Sequence, residues 1–505
     1  MKLNDFSKGL STRIDPILIG LNEAVVYSNI DNTSMLLKSA KDYTTTTSLI
    51  SKWFYSFSSV WYSSTLERDY VEYTDKLYYT EEGTVPSKIV NGNTKLVGIA
   101  RPPAPLTAVD GGAGSISTSA ETLQYAYTYY DSTEGVESEP SEFTPDLLLG
   151  ANKQVDLTGF IPPINPSVDL IRLYRIGATA TVFTLLVELP ITTTAYTDNI
   201  QTINAIGYIL DTVGKQAPLS GLHYLKEAYG MLFASIGSNI MYTNIGEPDV
   251  WPTLNTIDVY GTITGILPIQ EGILIWTNRK MFLLVGSTPA KFAIVDVSSE
   301  YGCNSNKSCR VVSQIPVWSS NDGICSYQGG IISVISKDKL GTQSYNIVNT
   351  ILYDEQYYIL LTDGSLLVLD MRFGIVFKKF TFANKIIDNI GVFNNVLYAV
   401  IDGYVTTLFD GTDIELSYTS PEITEGDASV FKMYNNVYVR GDGDFIFSVL
   451  IDQVEVLSKR LEGNKIFDIK IPQAKQRGSS IQFIIYGKGA IKEIEYKVIG
   501  RQNGR

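Results

Sequence analysis

Short strands joined by tight turns recur along most of this 505-residue chain, and they constrain the fold more than any other feature. "WFYSFSSVWYS" (53–63) and "DYVEYTDKLYYTEEG" (69–83) come first, and comparable units stand at 229–244, 272–286, 329–341, 357–370 and 396–409. Each reads as a half-buried strand, a short turn and a second strand. Asp363-Gly364 and Asp402-Gly403 supply a residue pair suited to tight hairpins. No long segment keeps apolar residues at helical spacing, while the many Tyr, Thr, Val and Ile favour extended backbone. The irregular spacing excludes a short-period solenoid. The series predicts an all-β chain built on a β-propeller of about six blades.

The series is interrupted. "ARPPAPLTAVDGG" (100–112) has the Pro- and Gly-rich composition of a linker, and the next propeller-type hairpin begins near 229. Between them, Leu123, Tyr125, Tyr127 and Tyr129 alternate with other residues, and "VDLIRLYRIG" and "VFTLLVELP" follow. This predicts an inserted immunoglobulin- or fibronectin-like sandwich without the cysteine pair of antibody domains. Beyond about residue 413 the strands lengthen. The expected organisation is an N-terminal interaction arm (1–45), the first part of the propeller (46–104), the inserted sandwich (105–200), the remainder of the propeller (201–412) and a C-terminal β-sandwich (413–505).

The search for chemistry finds no catalytic, cofactor-binding or metal site. His223 is the only histidine, which removes multi-histidine metal sites and weakens Ser/His and Cys/His nucleophile schemes. Cys303, Cys309 and Cys325 form neither a disulfide framework nor a zinc pattern. Acidic pairs such as Glu134 with Glu137, or Asp442 with Asp444, stand in expected turns, where acidic residues commonly serve backbone geometry. "GDGDF" (441–445) lacks the full ligand series of a calcium loop. The expectation is a protein that is not an enzyme. With 44% hydrophobic and 18% charged residues the chain is globular in composition, and no apolar run is long enough to span a bilayer. A net charge of −13 argues against gripping nucleic acid through its phosphates, though not against letting it pass an acidic wall.

One stretch fits neither a strand nor a helix. "GLSTRIDPILIGLNEAVVYSNID" (9–31) holds Leu10, Ile14, Ile17, Leu18, Ile19, Leu21, Val25 and Val26 without a sustained period. Asp15 before Pro16 disfavours helix there. An arm that cannot bury so many apolar side chains alone is a candidate assembly interface. The alternative is that it packs back on its own propeller.

The order of these parts resembles the tail nozzle (tail tubular, or tail-hub) proteins of short-tailed bacteriophages. The opening arm is similar to that family's start, with Gly9-Leu10 and the Asn29-Ile30-Asp31 element flanking a Pro-containing segment. "YTNIGEPDVWPTLNTIDV" (242–259), "IWTNRKMFLLVG" and the Ser320-Asn321-Asp322-Gly323 turn resemble its propeller segments. "YAYTYYDSTEGVESEPSE" is similar to its inserted fibronectin-like modules, and "QAKQRGSSIQFIIYGKGAIKEIEYKVIG" resembles its ending. The likeness runs along most of the chain as loose patterns. It implies a virion tail protein, a ring of six copies below the portal and adaptor, contact with tail fibres or other tail proteins, and a channel that passes DNA without holding it. It implies no catalytic residues and no cofactor. A glycan-binding adhesin and a carbohydrate-active propeller enzyme are the two alternative readings.

Overall fold

The computed structural model describes residues 1–31, 34–177, 181–204, 207–372, 374–382 and 385–500. Parts of the expected arm, sandwiches and propeller, including the last five residues, therefore lie outside the described residues. The chain divides into two compact units. The first comprises residues 1–65, 264–284 and 294–505; the second comprises 66–263 and 285–293. Among the described residues the regular secondary structure is nearly all strand, and the one α-helix, Lys337–Leu340, has four residues.

The propeller blades are four-stranded meanders. The second unit carries blade 1 (Arg68–Tyr73, Lys76–Glu81, Ser87–Val90, Asn93–Leu96) and blade 2 (His223–Ala228, Met231–Ile236, Asn239–Tyr242, Thr256–Asp258). Apart from a few end residues of blade 3, the first unit carries the others. They are blade 3 (263–298), blade 4 (310–334), blade 5 (347–380) and blade 6 (387–407). Blade 6 supplies only three strands in sequence, and Thr44–Leu49 adds the fourth beside Tyr404–Thr407.

The central strands differ from the half-buried pattern expected of them. Blade 5's Gln356–Leu361 is buried on both faces: Tyr358 and Leu360 pack toward blade 6, Tyr357 and Ile359 toward blade 4. A sheet stacked between two others has no solvent face, so its strand reads as a continuous apolar run. Blades 3 and 4 share Trp276, Trp318 and the three cysteines in the same way.

Several turns need no glycine. Thr74-Asp75, Ser313-Gln314, Asp354-Glu355 and Asn394-Asn395 all have positive φ at both positions, as mirror-image two-residue hairpin turns require. Asp402-Gly403 joins them, whereas at Asp363-Gly364 only the glycine is positive. The 53–64 hairpin is no blade strand but a separate two-stranded ribbon. Its Trp61 ring meets Phe393 at 5.0 Å and Tyr398 at 5.2 Å, both edge-on.

The inserted sandwich has a three-stranded sheet (Thr107–Ala113, Lys153–Thr158, Ala195–Asp198) facing a five-stranded one led by Glu121–Asp131. Its core holds Leu123, Tyr125, Tyr127 and Tyr129, the alternating residues of the sequence. "SEPSEFT" (138–144) lies along one edge of that strand. The hydroxyls of Ser138, Ser141 and Thr144 accept the N–H groups of Tyr129, Tyr127 and Tyr125, and the backbone N–H of each donates back to the same tyrosine's carbonyl. A hydroxyl at every third position thus satisfies an edge that would otherwise be open to pairing.

Two 20-residue strands, Lys432–Ile451 and Ile481–Gly500, form the C-terminal sandwich and pair along their length. On its other edge the first half of 432–451 pairs with Lys465–Lys470 and the second half with Val454–Glu462. Strands that change partners in this way must bend. They do so around Gly441 and Gly443, where Gly443 faces Gly489 and a Cβ on Gly489 would lie 2.2 Å from the Asp442 carbonyl oxygen. "GDGDF" is this corner.

Candidate assembly interface

The arm is a strap stitched into the first unit. Lys2–Leu3 pairs with Ile494 and Glu495, and Leu37–Lys38 pairs with Ala490 and Ile491. Val26–Ser28 runs antiparallel to Leu416–Thr419 and touches Val376–Phe380 in parallel at Lys379. One three-residue strand therefore joins the outer strand of blade 5 to the C-terminal sandwich in a single sheet.

The elements quoted from the sequence explain how. Gly9 has φ +70°, and a Cβ there would sit 2.4 Å from the Phe377 carbonyl oxygen, so only glycine allows this approach to blade 5. Leu10 then donates its N–H to that same oxygen at 2.8 Å. Asp15 accepts from the Ile17 N–H and caps the single 3-10 turn Pro16–Leu18, while the Pro16 carbonyl accepts from Glu422. Arg13 pairs with Asp338 at 2.5 Å, and Glu23 pairs with Lys339.

Asn29 is the node. It is buried with φ +58°, a conformation asparagine tolerates better than most residues. Its side-chain oxygen accepts from the Thr381 N–H at 2.7 Å, and its amide donates to the Glu415 carbonyl at 2.9 Å. The chain beyond blade 5 and the chain entering the sandwich are both tied to this residue. The sequence displayed Asn29 within its Asn-x-Asp element, but nothing in its spacing gave it a role.

The eight apolar candidates divide. Ile19 is buried. Leu10, Ile17 and Val25 are half-buried, with Leu10 packed against both the C-terminal core and the core between blades 4 and 5. Leu18 is 70% exposed, and Ile14, Leu21 and Val26 are 37–38% exposed. The arm thus completes its own protomer and still presents apolar side chains to solvent.

The acidic candidates are tied up in structural contacts. Glu134 pairs with Lys76 at 2.5 Å and lies 3.6 Å from Lys88; burial pushes its carboxyl up, but these lysines hold it below its ordinary value. Glu137 accepts from Arg172, Tyr174 and Thr128. Asp444 forms a two-pronged pair with Arg460, and Asp442 accepts from Asn464. His223 is half-buried in the first strand of blade 2. Cys303 and Cys309 lie with their sulfurs 3.5 Å apart, and burial pushes the Cys325 thiol up to about 11. Among the described residues no group of three or more His, Cys, Asp or Glu is placed to hold a metal, and no helix is long and apolar enough to cross a membrane.

No protein-family model and no curated protein sequence matches the chain. Among solved structures it is similar to the computationally designed Ika8 protein (10% identity, TM-score 0.30, covering 76% of this chain and 99% of that one). It is also similar to BamB from Moraxella catarrhalis (14%, 0.27, 67% and 92%) and to the WD40 β-propeller domain of Doa1 (8%, 0.26, 66% and 88%).

Proposed function

We propose that this chain is a structural protein of a virion tail, the nozzle of a short-tailed bacteriophage, acting as one copy of a ring that conducts the genome outward. The observation that carries the reading is the arm, whose backbone is fixed into the first unit while Leu18, Ile14, Leu21 and Val26 stay exposed. An isolated protein gains nothing from apolar side chains held rigidly toward water, whereas a neighbouring copy or an adaptor does. The sequence resemblance supplies the identity of that neighbour, and the formal charge of −13 suits a conduit that repels phosphate.

Electron micrographs of the purified protein test the reading, with an annular oligomer of about six copies as the expected image. Leu18→Asp should leave each copy folded, with stability changed by no more than about 0.5 kcal/mol as for other exposed positions, and should cut the ring fraction at least tenfold. Monomers at all concentrations, or turnover of a polysaccharide lost on changing one carboxylate, would overturn it.

A further inference from the structure

A cavity of about 240 Å³ lies in the first unit, bounded by the N-terminal strand pair, blade 5 and Phe409. Tyr353, Tyr358, Phe380 and Phe409 make part of its wall aromatic. Phe409 packs against Phe380 with ring centroids 5.0 Å apart and against Tyr358 at 6.2 Å. Phe409 has φ +61°, a left-handed conformation that is an outlier for a bulky side chain. Such strain persists only where the surroundings hold it, and it is concentrated at ligand clamps and similar functional positions.

Lys378 also lines the cavity and is 4% exposed. Its ammonium has three donors, yet among the described residues it makes one hydrogen bond, to the Gln356 side-chain oxygen at 3.1 Å. Asp370 stands 3.5 Å away, and Arg372 already donates to that carboxylate at 2.8 and 3.1 Å. Burial holds the Lys378 ammonium below its usual pKa, with Asp370 opposing the shift. Lys38 and Lys41 complete the lining cations against Asp31 and Asp354. The lining therefore carries one net positive charge in a strongly acidic chain.

We propose that this cavity binds a small planar monoanion, a single-ring aromatic or heteroaromatic carboxylate, with its ring on Tyr358 and Phe409 and its carboxylate accepting from Lys378. One incompletely used, desolvated ammonium calls for one negative charge. The aromatic part of the wall favours a flat ring. The volume falls below the range of drug-sized sites, which limits the ligand to about one ring. The inference does not depend on the tail-nozzle reading.

Benzoate is the probe, with benzamide as its neutral isostere, followed by saturation-transfer NMR and calorimetry on the full chain. Benzoate should bind at least tenfold more tightly than benzamide. Lys378→Met should abolish that preference, and Phe409→Gly should weaken both ligands several-fold. Glycine adopts φ +61° without strain, so the second variant keeps the test decisive if the first fails to fold. Absence of benzoate binding at tens of millimolar, equal affinity for the two probes, or unchanged binding in Phe409→Gly would each overturn the proposal.

Discussion

The two sandwiches are built from opposite kinds of contact. The inserted one draws its core from residues 99–189, a continuous stretch, and seals its own edge with Ser138, Ser141 and Thr144. The C-terminal one is incomplete without the other end of the chain: Leu3, Phe6, Ala24, Tyr27, Ile30 and Leu37 sit in the same core as Phe447, Phe483 and Tyr496. Similar layers are thus stabilised locally in one case and across nearly the whole sequence in the other. The first kind tolerates relocation in a chain; the second welds a fold together.

Removing residues 1–31 is the harshest test of that contrast. It deletes five buried core side chains and the strand joining blade 5 to the sandwich, at about 2–5 kcal/mol per large side chain. The truncated chain should lose its cooperative transition or aggregate, whereas residues 105–200 expressed alone should give dispersed amide resonances and a β-type circular dichroism spectrum. A truncated chain that melts like the intact one would erase the distinction.

Next in size is a break confined to the inserted sandwich. Arg175 and Asp198 form a fully buried pair at 2.5 Å, and the Tyr125 hydroxyl donates to the same carboxylate at 2.8 Å. Arg175→Met strands that carboxylate and should cost about 3–5 kcal/mol. In proteolysis, fragments should arise from the inserted sandwich while the C-terminal sandwich stays protected.

Asn29→Ala probes the strap more gently. Two side-chain hydrogen bonds at about 1 kcal/mol each, and a left-handed backbone unfavourable for alanine by about 1 kcal/mol, give an expected loss of about 2–3 kcal/mol in denaturant unfolding. Asn29→Gly relieves the backbone and should recover about a third of it.

Acid should act on both regions, and least of all. Burial pushes Asp370 and Asp452 up, but hydrogen bonds from Arg372 in one case, and from Ser479 and Ser480 in the other, hold both below the ordinary carboxylate value; the lysines around Glu134 do the same in the second unit. A depressed folded-state pKa gives stability that is present above the unfolded value of about 4 and is lost as pH falls through the folded one. Melting temperatures should stay level from pH 7 to about 5 and decline below about 4.

How much was legible in the sequence follows the same division. The tyrosine alternation at 123–129 and the hairpin turns are local signals, and both appear in the structure. The double-sided burial of blade strands could be read only as apolar runs, because period-two patterning vanishes when both faces are covered. The arm was hardest. Its strands are two or three residues long, and apart from the pairing of Ile30–Asp31 with Leu37–Ser39 their partners stand hundreds of positions away, so neither Gly9 nor Asn29 could be given its role from spacing. The fourth strand of blade 6, Thr44–Leu49, was missed for the same reason: a polar run of threonines pairs there because Tyr404–Thr407 offers an edge.

The strap also sets a timetable for synthesis. Ile30–Asp31 finds its partner Leu37–Ser39 at once, but Val26–Ser28 must wait for Val376–Phe380 and Leu416–Thr419, and Lys2–Leu3 for Ile481–Gly500, all made hundreds of residues later. At about 5–20 residues per second the wait is tens of seconds. The inserted sandwich can close during that interval from its own residues. The strap, with Leu10, Ile19 and Tyr27 still uncovered, must be kept from wrong partners until Ile481–Gly500 is made.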